Sequence, residues 1–193
     1  MSIEFISNED KFNYLVGLSK VDPKKAVDEL VDWASKGFGH ANYLLGVIYE
    51  SGGKGIERDY DKAAYYYRKA MTESGSVQAM LRLASLHYLK RIVNASDEEA
   101  FGIYSELYKS NGNSSSSMML GAMYYEGRFV EKDLTVASLY LDEAIRSGHV
   151  FALTLRGHIE RELGNNLSAW SYFMRALLRS LVVPRTSPLS QFP

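Results

Sequence analysis

ANYLLGVIYESGGKGIERDYDKAAYYYRKAMTESG, residues 41–75, contains two apolar-periodic segments joined by a glycine-bearing loop. In the second segment Ala63 is followed at three, four and seven residues by Tyr66, Tyr67 and Ala70, the period of an α-helix with one apolar face. Asp59 stands four residues before Ala63, where a short polar side chain can accept from an orphan N–H at a helix start. Gly75 closes the segment, as expected where a left-handed C-cap lets the chain turn. The first segment sets Ala41, Leu45, Gly46 and Tyr49 at helical spacing, so the stretch predicts an antiparallel helix hairpin.

The same unit recurs on both sides. Aligning the small residue of each second helix gives Ala26, Ala63, Ala100, Ala137 and Ala169, spaced by 37, 37, 37 and 32. Four residues before them stand Asp22, Asp59, Ser96, Asp133 and Asn165, all N-cap types. Gly37, Gly75, Gly112 and Gly148 end the second helices, and Ala41, Ala79, Ser116 and Ala152 open the next first helices. Those first helices carry Leu45, Leu83 and Leu120, then Gly46, Ala84, Gly121 and Gly157, then Tyr49, His87 and Tyr124. Small residues at one phase let two backbones approach, and the large residues a turn away fill the space. One such unit cannot bury its own face, so the units must stack.

The flanks are read the same way. Residues 1–6 form an apolar-tipped lead, and Ser7 with Asp10 predicts a cap for a helix over about 8–19. Asp22-Pro23 then opens a helix over about 23–36, because proline is favoured at the first helical position. In the loops, Ile56, Val93 and Val130 each precede the capping residue by three and are expected to tuck beneath the loop. The resulting division is an N-terminal capping helix at 1–21, a repeat array at 22–180 and a proline-containing flexible tail at 181–193. No polar helix is seen to shield the last repeat, which leaves truncation, self-association through that repeat, or a covering partner open.

Composition excludes several functions. The 193 residues are 46% hydrophobic and 12% aromatic, enough for a sizeable core, and 22 basic against 23 acidic residues leave a charge of −1. That balance provides no basic footprint for nucleic acid. Cysteine is absent, which excludes disulfides, thiol catalysis and cysteine-held metals. The N-terminus has acids where a signal peptide is apolar, and no run approaches the roughly 18 apolar residues of a membrane span. These features predict a cytoplasmic location and no membrane insertion.

The register A-x-x-x-L-G-x-x-Y, a glycine-containing loop, V/I-x-x-D-x-x-x-A, tyrosine, alanine and glycine resembles the Sel-1-like repeat family, relatives of the tetratricopeptide repeat. Ala41, Leu45, Gly46, Tyr49, Asp59, Ala63, Tyr67, Ala70 and Gly75 match one unit. Leu120, Gly121, Tyr124, Gly127, Val130, Asp133, Ala137, Tyr140, Ala144 and Gly148 match another. Ala84 and His87 depart from the pattern in the third unit, as do Arg156 and Glu160 in the last, which marks it as a divergent or edge repeat. The resemblance implies an all-α, right-handed superhelical solenoid of antiparallel helix pairs that binds proteins or peptides as a non-enzymatic scaffold or adaptor.

In the related architecture the first helices line a concave groove. By phase, the groove candidates here are Tyr43, Val47 and Glu50; Leu81, Ser85 and Tyr88; Met118, Ala122 and Tyr125; and Thr154, His158 and Arg161. A stripe of Tyr and Met with few charges is the composition that anchors protein interfaces, although the same residues could pack between repeats. His40, His87, His149 and His158 show no metal-ligand spacing, and His87 is expected to replace a core tyrosine. SGGKG at 51–55 lacks the strand and the GK[ST] ending of a phosphate loop, and NSSSS at 113–117 reads as a polar turn and cap. Neither a catalytic residue, a metal nor a cofactor is expected. A hydrolase on an α-repeat scaffold and an RNA-binding helical repeat are the alternatives, requiring a His–carboxylate pocket and a basic groove respectively.

Overall fold

The computed structural model describes residues 7–53 and 55–182, without the side chains of Asn8 and Val182. The expectations for residues 1–6, for Lys54 of the SGGKG loop and for 183–193 fall outside that range. The described residues form ten helices and no strand: α1 (Asn8–Val21), α2 (Pro23–Ser35), α3 (Gly39–Ser51), α4 (Tyr60–Ser74), α5 (Val77–Tyr88), α6 (Asp97–Asn111), α7 (Ser114–Glu126), α8 (Leu134–Arg146), α9 (Val150–Glu162) and α10 (Asn166–Val182). They divide between two compact units, residues 1–100 and 101–193, with α6 starting in the first and continuing in the second. The last helix is described as far as Val182, two residues past the start of the expected tail.

Helix starts follow the cap chemistry. Ser7, Asp22, Asp59 and Asp133 accept from backbone N–H groups two or three residues on, and Ser96 does the same from Glu99 at 3.3 Å. Asn165 differs, since its side-chain amide donates to Glu160 at 2.9 Å. Gly37, Gly75, Gly112 and Gly148 all take positive φ at the ends of second helices. The backbone N–H of Asp59 closes onto the Tyr49 carbonyl at 2.9 Å, and that of Asp133 closes onto Tyr124 at 3.0 Å, so the two glycine-bearing loops share one hydrogen-bonded closure.

One loop expectation is corrected. Val93 is 83% exposed, and Ile92 is buried in its place. The other two loops turn through Gly52 and Gly127, whereas the third has no glycine and Lys90 takes the left-handed conformation at φ 54°. The apolar side chain that reaches inward there is one position earlier.

In unit 1, α3 packs along α4, while α2 and α5 also contact this pair. In unit 2, α7 pairs with α8 and α9 with α10. The anchoring alanines Ala26, Ala63, Ala100 and Ala137 have no exposure, and Leu45, Leu83 and Leu120 are buried. Three pairs, α3 with α4, α7 with α8 and α9 with α10, are close because a first-helix residue lacks a Cβ. A Cβ on Gly46 would lie within 3.0 Å of three Tyr67 ring atoms; one on Gly121 would lie 2.8 Å from Leu141 Cγ; one on Gly157 would lie 2.6 Å from the Phe173 ring. A turn away, Tyr49 stacks on Tyr66 at 5.7 Å and Tyr124 on Tyr140 at 5.8 Å, the same contact made in each unit.

The last repeat replaces that stack with charge. Arg156 occupies the leucine phase, pairs with Glu160 at the tyrosine phase, reaches Asp142 at 3.2 Å and lies over Tyr172 at 5.2 Å. Glu160 also accepts from Asn165, and this bond, with the one from Arg156, holds its carboxyl below the usual range despite burial. The two departures from the repeat pattern therefore compensate each other. Arg156→Leu leaves an almost buried carboxylate without its counter-charge, with only the Asn165 amide as partner, and is expected to cost about 3 kcal/mol, whereas Arg156→Leu with Glu160→Tyr should return to within about 1 kcal/mol of the parent or exceed it. Urea denaturation of both variants checks this; additive losses would refute the compensation.

Candidate protein-binding site

The groove candidates divide by unit. In unit 1, Tyr43, Val47, Glu50, Leu81, Ser85 and Tyr88 are all half-buried. Glu50 does not point away from the second helix: its carboxylate accepts from the Tyr67 hydroxyl and lies 3.4 Å from Arg82. Burial, followed by the Glu50 charge, pushes the Tyr67 phenol far above its ordinary value, so it remains a donor. Tyr43 leans on the same ring at 6.0 Å. Glu50 and Tyr43 are thus held in place by α4, with Arg82 a further polar group that phase alone did not single out.

In unit 2, Met118 and Ala122 are each only 2% exposed, so their assignment to a binding surface is corrected. The described part of α7 is buried continuously from Ser116 to Met123 and carries no charge before Glu126. A helix apolar on all sides belongs in an interior, and that was the available signal. Tyr125 is half-buried beneath the Lys132 ammonium at 5.2 Å. His158 packs edge-on to Phe173 at 5.2 Å and its Nδ1 lies 3.1 Å from Arg161 Nη2. Thr154 is half-buried and Arg161 exposed.

A concavity lined by three helices lies in unit 1. A pocket of about 500 Å³ is lined by Glu9 and Phe12 of α1, His40 and Tyr43 of α3, the α5 N-cap Ser76, and Gln78 of α5. Its volume falls in the usual range for ligand pockets. Phe12 and His40 meet edge-on at 5.7 Å, and His40 also contacts Phe38 at 5.7 Å, so the aromatic wall is braced from behind. Only Tyr43 belongs to the phase set. Of the others, His40 and Gln78 could have been found by stepping one turn back, since they lie three residues before Tyr43 and Leu81.

The histidines fall into two kinds. His87 is fully buried at the tyrosine phase, where its Nδ1 accepts from the Ser96 N–H at 3.1 Å. Its Nε2 is 2.8 Å from Glu99 Oε2, close but out of line for a hydrogen bond. Burial holds its pKa below the ordinary value; Glu99 opposes this, while Arg68 and Lys90 reinforce it. His149 is also buried, beside the Ser114 hydroxyl at 3.0 Å, and burial lowers its pKa too. His40 and His158 stand at surfaces. Among the described residues no three His, Asp or Glu side chains gather where they could hold a metal ion. No described helix is long and apolar enough to cross a membrane.

Helix pairs repeating at constant phase, with side-chain interlock between partners, define a helical repeat protein. A family model for the Sel1 repeat matches residues 39–71, 77–109 and 114–149, more than half of the chain, and the chain belongs to that family. Three solved structures share the fold. One is a protective antigen present in uropathogenic Escherichia coli strains and displaying an SLR fold (21% identity, TM-score 0.72), over 96% of this chain and 45% of that one. The second is a Sel1 repeat protein from Oxalobacter formigenes (21%, 0.71), over 89% and 73%. The third is MamA (19%, 0.64), over 93% and 98%. The chain therefore spans less than half of the antigen. No curated protein matches the chain significantly.

For His87 the sign of the pH effect is fixed. With the folded pKa below that of the unfolded chain, about 6.5, the unfolded state takes up the proton first, so stability falls as pH drops through about 6.5 and goes on falling to the folded value. Imidazole NMR should place the His87 midpoint below 6.5, and a midpoint at or above it would contradict the buried neutral ring.

Proposed function

We propose that the chain is a non-enzymatic scaffold that binds a protein or peptide segment on its first-helix faces. The observation that carries this reading is the unit 1 pocket, where the starts of α1, α3 and α5 bring Phe12, His40 and Tyr43 to one concavity. Aromatic side chains in a partly enclosed site are the usual anchors of peptide recognition, and the polar rim of Glu9, Ser76 and Gln78 provides orientation. Membership of a family built from interlocking helix pairs agrees with a scaffold and leaves the partner to be found. In unit 2 the candidate surface reduces to Tyr125, Thr154, His158 and Arg161, with Met118 and Ala122 serving the core.

A random peptide library selected on the full chain provides the test. Peptides enriched on the parent should lose at least about tenfold in affinity for His40→Glu with Gln78→Arg, both exposed positions whose change leaves helicity intact. Enriched peptides that bind this variant as well as the parent would remove the pocket from the account.

A further inference from the structure

The outer side of α10 carries a second apolar face. Leu167, Trp170, Met174, Leu177, Leu178 and Leu181 recur at spacings of three and four, one stripe about 21 Å long. The opposite side of α10 packs on α9 through Ala169 and Ala176, while Leu167 is 89%, Trp170 65% and Leu181 75% exposed. No other described helix has more than one exposed large hydrophobic residue. A helix apolar on both sides is a buried helix, and no described element covers the outer side of this one.

We propose that the stripe is covered by the same stripe of a second copy, the two α10 helices packing antiparallel about a two-fold axis near Met174. Three observations select this occupant. The stripe contains no charged residue, and the two arginines of α10 are turned to other work, Arg175 against Tyr172 at 5.4 Å and Arg179 toward the Ile145 carbonyl at 3.3 Å. Pairing like with like therefore sets no charge into the seam. A head-to-tail pairing with α1 and α2 would instead set the stripe against a mixed surface, where Asp10, Lys24, Asp28 and Asp32 are exposed beside Val21 and Val31. In area, Trp170 and the four leucines offer on the order of 600 Å² per copy, about 1,200 Å² per pair, above the roughly 1,000 Å² a stable interface requires.

Sedimentation of the full 193-residue chain across a concentration series tests the pairing. The parent should dimerise, and Trp170→Glu with Leu178→Glu, both exposed, should weaken the dimer at least about 100-fold with the helical spectrum unchanged. Because the chain has no cysteine, Met174→Cys offers a clean second measurement: mild oxidation should link two copies through it faster than through Ser35→Cys on exposed α2 surface. A dimer indifferent to the double substitution, or equal linkage at both cysteines, would overturn the assignment. A parent monomeric at every concentration would also overturn it, assigning the stripe to residues 183–193 of the same chain or to a foreign helix.

Discussion

Everything in both units depends on how closely a first helix approaches its second. Gly46 against Tyr67, Gly121 against Leu141 and Gly157 against Phe173 are one contact made three times, each requiring that the first helix present no Cβ at that point. A glycine in a helix interior costs about 1 kcal/mol of propensity, but the side chain it admits recovers more when fully buried, as Tyr67 and Leu141 are. With the backbones this close, the tyrosine pairs a turn away stack, and the anchoring alanines are sealed from water. The loops need only close the hairpin.

That interlock also determines which residues remain for binding. Tyr67 fills the space over Gly46, and its hydroxyl, kept protonated by burial, fixes the Glu50 carboxylate and through it Arg82. Part of the first-helix surface is consequently tied to the second helix, and the open concavity shifts one turn toward the helix starts. In the last repeat Phe173 fills the equivalent space over Gly157, while Arg156 and Glu160 take the leucine and tyrosine phases beside Tyr172, so an ion pair stands where two largely apolar side chains stand elsewhere.

Helices, caps and core anchors were legible because they follow from local chemistry: N-cap residue types at constant phase, glycine where φ turns positive, and a 3.6-residue period. The slip from Val93 to Ile92 was not, because nothing in the local sequence marks Lys90 as the residue that will take a left-handed conformation. Phase placed Met118 and Ala122 away from their own second helix, but phase does not say what else covers a helix; the missing charges of α7 did. Glu50 was misjudged for a related reason, since a long carboxylate can reach across to a partner that helical geometry places on another side. The pocket involves three helix starts brought together only by stacking, and no single segment records it.

The close-approach account is tested most directly by two chemically identical substitutions in unit 1. Gly17 in α1 has nothing within 4 Å of where a Cβ would stand, whereas Gly46 has the Tyr67 ring there. Chemical denaturation should show Gly17→Ala stabilising by about 1 kcal/mol, the propensity gain alone, and Gly46→Ala destabilising by about 1–2 kcal/mol as overpacking outweighs it. A Gly46→Ala protein stabilised as much as Gly17→Ala would contradict the claim that the missing Cβ holds the helix pairs together.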